Sequence, residues 1–265
     1  MYTDTDRFRD AASAFIDAGY ITGEGRVVKR GKEASVLCCP AHPSLGVELV
    51  ALKIYKDQEF RNFRNDAAYL RGRVWKRRDL AHLKAFKDDL WVDTEYHVLE
   101  KLAAAGVRVP RPYTQIGHAI LMAYIGDDGE PAAPLKDAQL DTEQVPRVFD
   151  EIVASIDGML RCGVVHGDLS AFNILVDGEH PVIIDFPQAI EISTHDDPYR
   201  LFRRDVENVV EYFARRGVAR LANLADELWE RHYLPERFDE APSMPVCRRL
   251  EGALPGCRAH RGRDG

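Results

Sequence analysis

Apolar residues fall at helical spacing over 6–18, where Phe8, Ala11, Ala12, Phe15 and Ile16 share a face and Gly19 supplies a stop. Two β-type runs follow, Val27-Val28 and Val36-Leu37-Cys38-Cys39, around a turn that carries Gly31. A third strand is predicted over 47–56, centred on Val50-Ala51-Leu52-Lys53-Ile54-Tyr55. Phe60, Phe63, Ala67, Tyr69 and Leu70 suggest a helix, and 88–105 is a stronger one, with Trp91, Tyr96, Val98, Leu99 and Leu102 in phase before Gly106. Pro110 and Pro112 force 107–112 into an extended path. Residues 119–125 read as a buried strand that ends in the turn-rich Asp127-Asp128-Gly129-Glu130-Pro131. Beyond that break, Val148, Ile152, Ile156, Met159 and Leu160 predict a helix over 145–161. Short β-branched runs at 164–165, 174–176 and 182–184 come next, then helices from 196 toward Gly217 and over about 219–232. Strands gathered mainly in the first half and helices mainly in the second indicate an α+β fold. The expected domains are a sheet-bearing unit over 1–122, a mainly helical unit over 123–239, and a loosely packed Pro- and Gly-bearing tail over 240–265.

A chain of 265 residues is long enough for a sizeable core, and 45% hydrophobic with 30% charged residues is the balance of an ordinary globular protein. No run approaches the roughly 20 apolar residues of a membrane span, so no membrane role is expected. The start, Met1-Tyr2-Thr3-Asp4-Thr5-Asp6, has neither a basic nor an apolar signal region, which predicts a cytoplasmic location. Five cysteines, odd in number and without a C-x-x-C pair, suit a reducing compartment and no structural zinc. The net charge of −7 argues against sequence-specific DNA binding and general attraction to nucleic acid. Segment 71–87 departs from that balance: Arg71, Arg73, Lys76, Arg77, Arg78, Lys84 and Lys87 stand against Asp79 alone, with Trp75, Leu83 and Phe86 interspersed. It is either a solvated face or a mobile docking place for an unidentified protein or ribonucleoprotein acceptor.

The candidate chemistry lies in Val164-Val165-His166-Gly167-Asp168-Leu169-Ser170-Ala171-Phe172-Asn173-Ile174-Leu175-Val176 and in Val182-Ile183-Ile184-Asp185-Phe186. Phosphoryl transfer from ATP needs a carboxylate near the acceptor hydroxyl and oxygen ligands that hold Mg²⁺ on the phosphates. H-x-D-L-x-x-x-N followed by a hydrophobic-D-F pattern is the spacing of a kinase catalytic loop and metal loop. Asp168 is then the candidate base, with Asn173 and Asp185 the candidate ligands of Mg²⁺ or Mn²⁺. Lys53 sits in a run like the V-A-I-K strand that pairs ATP phosphates, although a lysine in a strand more often faces solvent. Glu95 is a candidate partner for it, with Glu100 as competitor. Gly31, Lys32 and Ser35 lie on a turn whose amides could cradle phosphates, although neither G-x-G-x-x-G nor G-x-x-x-x-G-K-[ST] is present. The hinge 122–126, with Met122 and Ile125, would hold adenine through its backbone. His166 reads as a brace of its loop.

In order, Gly31-Lys32-Glu33-Ala34-Ser35-Val36, Ala51-Leu52-Lys53-Ile54-Tyr55, His166-Gly167-Asp168-Leu169-Ser170, Ile184-Asp185-Phe186-Pro187-Gln188 and Leu201-Phe202-Arg203-Arg204-Asp205-Val206 resemble the RIO family of atypical protein kinases, nearest its type 1 branch in a bacterial form. The long insertion between Lys53 and Glu95, and Ser170 where protein kinases carry a lysine, are similar to that family as well. Asp-Phe-Pro-Gln is nearer the type 2 metal loop. The resemblance implies a trimmed two-lobe kinase fold that binds ATP with a divalent metal. It further implies Ser/Thr phosphorylation, or ATP hydrolysis through an aspartyl-phosphate on Asp185. Two other readings stay open. One is a small-molecule kinase of the aminoglycoside type, which would need a helical cap after the metal loop. The other is an ATP-gated binding module with little transfer to protein, since the loop lacks the lysine.

Overall fold

The computed structural model describes residues 4–56, 83–127, 129–219 and 221–233. The helix expected over 59–70, most of the basic segment, and the tail over 240–265 lie outside the described residues. A five-stranded antiparallel sheet forms from β1 (Arg26–Arg30), β2 (Ala34–Pro40), β3 (Leu49–Tyr55), β4 (Pro112–Ile116) and β5 (Ala119–Ala123), in the spatial order β1-β2-β3-β5-β4. Strand β3 is central, and its alternate side chains are buried on both faces. Val50, Leu52 and Ile54 pack with Phe8, Ala12 and Phe15 of helix α1 (Asp4–Asp17). Ala51 and Tyr55 point to the other face, into a core that holds Val92, Leu99 and Leu102 of helix α2 (Leu83–Ala104). Cover on both faces explains why this strand reads as a nearly continuous apolar run. Lys53 shares its face with Ala51 and Tyr55, so the usual solvent-facing strand lysine is not what the fold uses.

Helix α2 starts five residues earlier than the expected 88. Leu83, Lys84, Ala85 and Lys87 are good helix formers, and they join the helix.

After β5 the chain makes three two-residue strands, β6 (Gly126–Asp127), β7 (Glu130–Pro131) and β8 (Ala133–Pro134), before helix α3 (Gln144–Arg161). The start of α3 is a reciprocal cap. Asp141 Oδ1 accepts from the Glu143 and Gln144 amides at 2.9 and 2.8 Å, and Gln144 Oε1 accepts from the Asp141 amide at 3.0 Å. Strands β9 (Val164–Val165), β10 (Ile174–Asp177), β11 (His180–Ile183) and β12 (Ile190–Glu191) follow. β10 pairs antiparallel with β11, Ile174 opposite Ile183, and on its other edge with β8; β9 pairs with β12. Helix α4 (Pro198–Ala214) begins with Pro198 in its first turn and with Asp197 accepting from the Arg200 amide. Helix α5 (Leu224–Tyr233) ends the described chain. Val148, Phe149, Ile152 and Ile156 of α3 meet Phe202, Val206, Val209 and Phe213 of α4 in one apolar core. No helix among the described residues is long and apolar enough to cross a membrane.

Ile152 is fully buried at the middle of that core. Ile152→Ala should therefore cost about 2–5 kcal/mol of stability, read from urea unfolding midpoints; a loss under about 0.5 kcal/mol, the scale of surface changes, would contradict the packing.

Candidate active site

A cavity of about 590 Å³ opens between the sheet and the loops after β9 and β11. Val28, Val36, Ala51, Met122, Leu175 and Ile184 give it apolar walls, while Lys29, Gly31, Lys32, Lys53, Glu95, Asp168 and Asp185 give it charge and a glycine turn. Lys53 reaches in from β3. Its Nζ donates to Glu95 Oε1 at 2.8 Å and to Asp185 Oδ1 at 2.7 Å. Burial opposes the ammonium's charge, but Asp185 and Glu95 outweigh it and hold the Lys53 pKa above its usual value. Burial pushes the Glu95 carboxyl up, against Lys53 and the Phe186 amide, which donates to Oε1 at 3.0 Å. The Tyr55 hydroxyl donates to Oε2 as well, and with three donors on one carboxylate the ionised form is the one this site holds. The competing Glu100 is exposed and faces His97.

Asp185 ends the β11 segment with φ 73°, the one positive φ at a non-glycine among the described residues. Burial would raise its carboxyl, yet Lys53, then Lys29 and His166, hold it below the usual range. Its side chain stays 38% exposed toward the cavity, so its oxygens remain open to a ligand.

The candidate catalytic loop is fixed from three directions. His166 is buried, donates from Nε2 to the Ile184 carbonyl at 3.0 Å and accepts at Nδ1 from the Asp168 amide at 3.3 Å. Its ring packs 4.7 Å from that of Phe186, and burial pushes its pKa down to about 4. That is the geometry of a brace rather than of a base. Asp205 of α4 accepts from the Gly167 and Leu169 amides at 2.7 and 3.2 Å, and Asn208 donates to the Leu169 carbonyl at 3.0 Å. Gly167 has φ 79°, and a Cβ there would come within 2.4 Å of the Gln188 carbonyl oxygen, so only glycine fits. Asn173 donates from Nδ2 to the Asp168 carbonyl at 2.9 Å and lies 3.4 Å from its carboxylate. Burial raises the Asp168 pKa, with Arg204 and Asn173 pulling against it and Asp185 adding to it.

Of the residues singled out in the sequence, Gly31, Lys32, Lys53, Glu95, Met122, Ile125, Asp168 and Asp185 all line the cavity, and Asn173 is bonded to Asp168 behind it. Ser35 is not among them. Strand alternation sends Ala34 and Val36 to the cavity side and turns Ser35 to the opposite face, where it is fully buried and its Oγ has no hydrogen-bond partner among the described residues. Its expected phosphate contact is therefore corrected. Sequence reasoning missed Lys29, which lines the cavity because the pairing of β1 with β2 shifts register between Val27 and Lys29, letting Val28 and Lys29 both face inward. It also missed Asp205. The available signal was an acidic residue in phase with Phe202, Val206 and Val209 on the apolar side of α4.

Among the described residues no three His, Cys, Asp or Glu side chains converge as a metal cage. Asp185 and the amide oxygen of Asn173 are two hard oxygen donors. Such a set fits Mg²⁺ or Mn²⁺, which takes its remaining ligands from phosphates and water.

Among known families, the model described as the RIO domain matches residues 41–225. The chain belongs to the RIO family. Its relatives include the RIO-type serine/threonine-protein kinase Rio1 of Haloferax volcanii, 31% identical over 229 residues that cover 81% of this chain and 75% of that protein. The serine/threonine-protein kinases RIO1 of Caenorhabditis elegans and Homo sapiens are each 32% identical, over 72% and 76% of this chain. Those matches span only 37% and 35% of the relatives' own lengths. Two crystal structures of Rio2 kinase from Chaetomium thermophilum share the fold. The ADP/Mg²⁺-phosphoaspartate complex has a TM-score of 0.59 at 24% identity, and a second has 0.58 at 25%, covering 81% of this chain and 62% and 63% of theirs. As a RIO-family protein, the chain has the α+β kinase-like architecture.

The His166 environment predicts a pH dependence. Its folded pKa of about 4 lies below the usual 6.5, so folding favours the neutral ring. The stability this contributes is complete above pH 6.5 and is lost as pH falls toward 4, by about 2 kcal/mol between pH 7.5 and 5. Asp205, pushed up to about 7 mainly by burial, works in the opposite sense and is unchanged in a His166 variant. The urea midpoint at pH 5 relative to that at pH 7.5 should therefore be higher in His166→Asn than in wild type, by the equivalent of about 2 kcal/mol; equal pH shifts in the two proteins would refute the assignment.

Proposed function

We propose that this RIO-family chain is an ATP- and Mg²⁺-dependent phosphotransferase, acting as a serine/threonine-protein kinase or as an ATPase. The observation that carries the reading is Lys53 inside the cavity, bonded at once to Glu95 and Asp185, with Asp168 lining the same cavity. A lysine held between two carboxylates at the mouth of a glycine turn suits the phosphates of a nucleotide. The apolar walls and the backbone of 122–125 suit its adenine. The nucleotide and metal of the Rio2 complex are ones this donor set would accept.

In this reading Lys53, kept in place by Glu95, neutralises the phosphate chain, with Gly31, Lys32 and Lys29 closing over it. Asn173 and Asp185 hold the metal, which supplies charge neutralisation on the transferred group. Asp168 faces the acceptor hydroxyl and takes its proton; the upward shift of its pKa by burial is the direction a base needs. The loop donates no cation of its own, so most of the rate enhancement comes from position and from charges already in place.

Asp168→Asn should keep nucleotide affinity and lower turnover by roughly two to four orders of magnitude, the range of a positioned base. Labelled ATP, scored separately for phosphate on protein and for free phosphate, makes the measurement. Turnover near wild type would remove Asp168 from this role.

Asp185→Ala should abolish the Mg²⁺-dependent part of nucleotide affinity, whereas Asp168→Asn leaves most of it. Equal metal-dependent affinity in wild type and Asp185→Ala would sink the metal assignment. If Asp185 itself receives phosphate, the label on protein is released by hydroxylamine; stable label on Ser or Thr only would rule that out.

A further inference from the structure

Helix α4 presents two consecutive side chains to a single residue of the catalytic loop. Asp205 accepts from the Gly167 amide, and Arg204 donates from Nη2 to the Gly167 carbonyl, so both polar groups of that residue are held from one helix. Arg204 also lies 3.5 Å from Asp205 Oδ1, and its charge acts on the Asp168 carboxylate. Its side chain is 46% exposed, and among the described residues only Nη2 is engaged, which leaves the other guanidinium N–H groups open. The loop over 164–176 contains no lysine or arginine, and Ser170 stands where protein kinases carry a lysine. Lys53 and Lys29 both act on Asp185. The cation acting on Asp168 is Arg204.

We infer that Arg204 is a positioning residue for the transfer. It fixes the peptide between Gly167 and Asp168 through its carbonyl and supplies beside Asp168 the cation that the loop lacks. A planar guanidinium fork can bond the carbonyl through one nitrogen and present N–H groups of another to a phosphoryl or acceptor oxygen; an ammonium has only one nitrogen and lacks that fixed spread. The inference rests on Asp168 being the acceptor-side carboxylate.

The test uses the full chain with Arg204→Gln, Arg204→Lys and Arg204→Ala. ATP turnover, affinity for a fluorescent ADP analogue and hydrogen exchange of the 164–173 amides are measured on each. Arg204→Gln should lower kcat about tenfold to a hundredfold with nucleotide affinity within about twofold, the signature of an interaction used in transfer and not in binding. Arg204→Lys should recover part of the loss. Millimolar guanidinium should raise turnover of Arg204→Ala by at least about threefold and leave wild type unchanged. Arg204→Gln with kcat within about twofold of wild type overturns the inference. So does a loss that neither lysine nor guanidinium restores and that tracks a lowered melting temperature. If wild type shows no ATP turnover, the proposed function fails, and the positioning is judged by exchange. The Gly167 and Leu169 amides should then exchange about tenfold faster in Arg204→Gln, and unchanged exchange overturns it.

Discussion

Burying an ammonium ion costs several kcal/mol unless opposite charge is brought in with it. Lys53 is only 7% exposed on the inner face of β3, so the rest of the fold has to deliver that charge. It does so from two distant places, Glu95 on α2 and Asp185 after β11, 42 and 132 residues along the chain. One buried charge therefore ties the sheet, the long helix and the metal-loop segment to a single point. Removing either carboxylate leaves the buried cation with a single partner, whereas the intact trio also presents an open carboxylate edge to the cavity.

The same region stores the backbone strain. Asp185 sits at φ 73°, a region costly for most residues that carry a side chain but better tolerated by Asp. Its bond to Lys53, the Phe186 amide on Glu95, and His166 on the Ile184 carbonyl hold the three consecutive residues 184–186. The neighbouring catalytic loop is over-determined in a similar way. His166 grips it from inside, while Asp205, Asn208 and Arg204 grip it from α4. Reactive groups set on loops keep their geometry because the loop backbone is hydrogen-bonded to elements that are themselves packed.

Membership of the RIO family gives this arrangement its context. The helices that follow the metal loop bury Phe202, Val206, Val209, Phe213 and Leu228 in the common core. Their apolar faces are thus spent on the fold.

Periodicity and spacing were enough to place α1, β1 to β3, α3 and α4, because each is a local pattern of apolar residues with a local stop. They were enough, too, to single out Asp168, Asp185 and Lys53, which the fold brings to one cavity, because their identities and order are carried by short motifs. They left Glu95 and Glu100 as rivals, because both are glutamates on one helix and only its rotation against β3 separates the buried one from the exposed one. They placed Ser35 at the phosphates, whereas pairing with β3 turns it away, and they passed over Lys29, whose inward path comes from a register shift between strands. Asp205 and Arg204 reach the loop from 36 to 38 residues away through packing of α4 on β9, which no local pattern encodes. A residue's type and neighbours decide what it can do chemically. The partner it meets is decided by which faces are buried together, and that is a property of the packed chain.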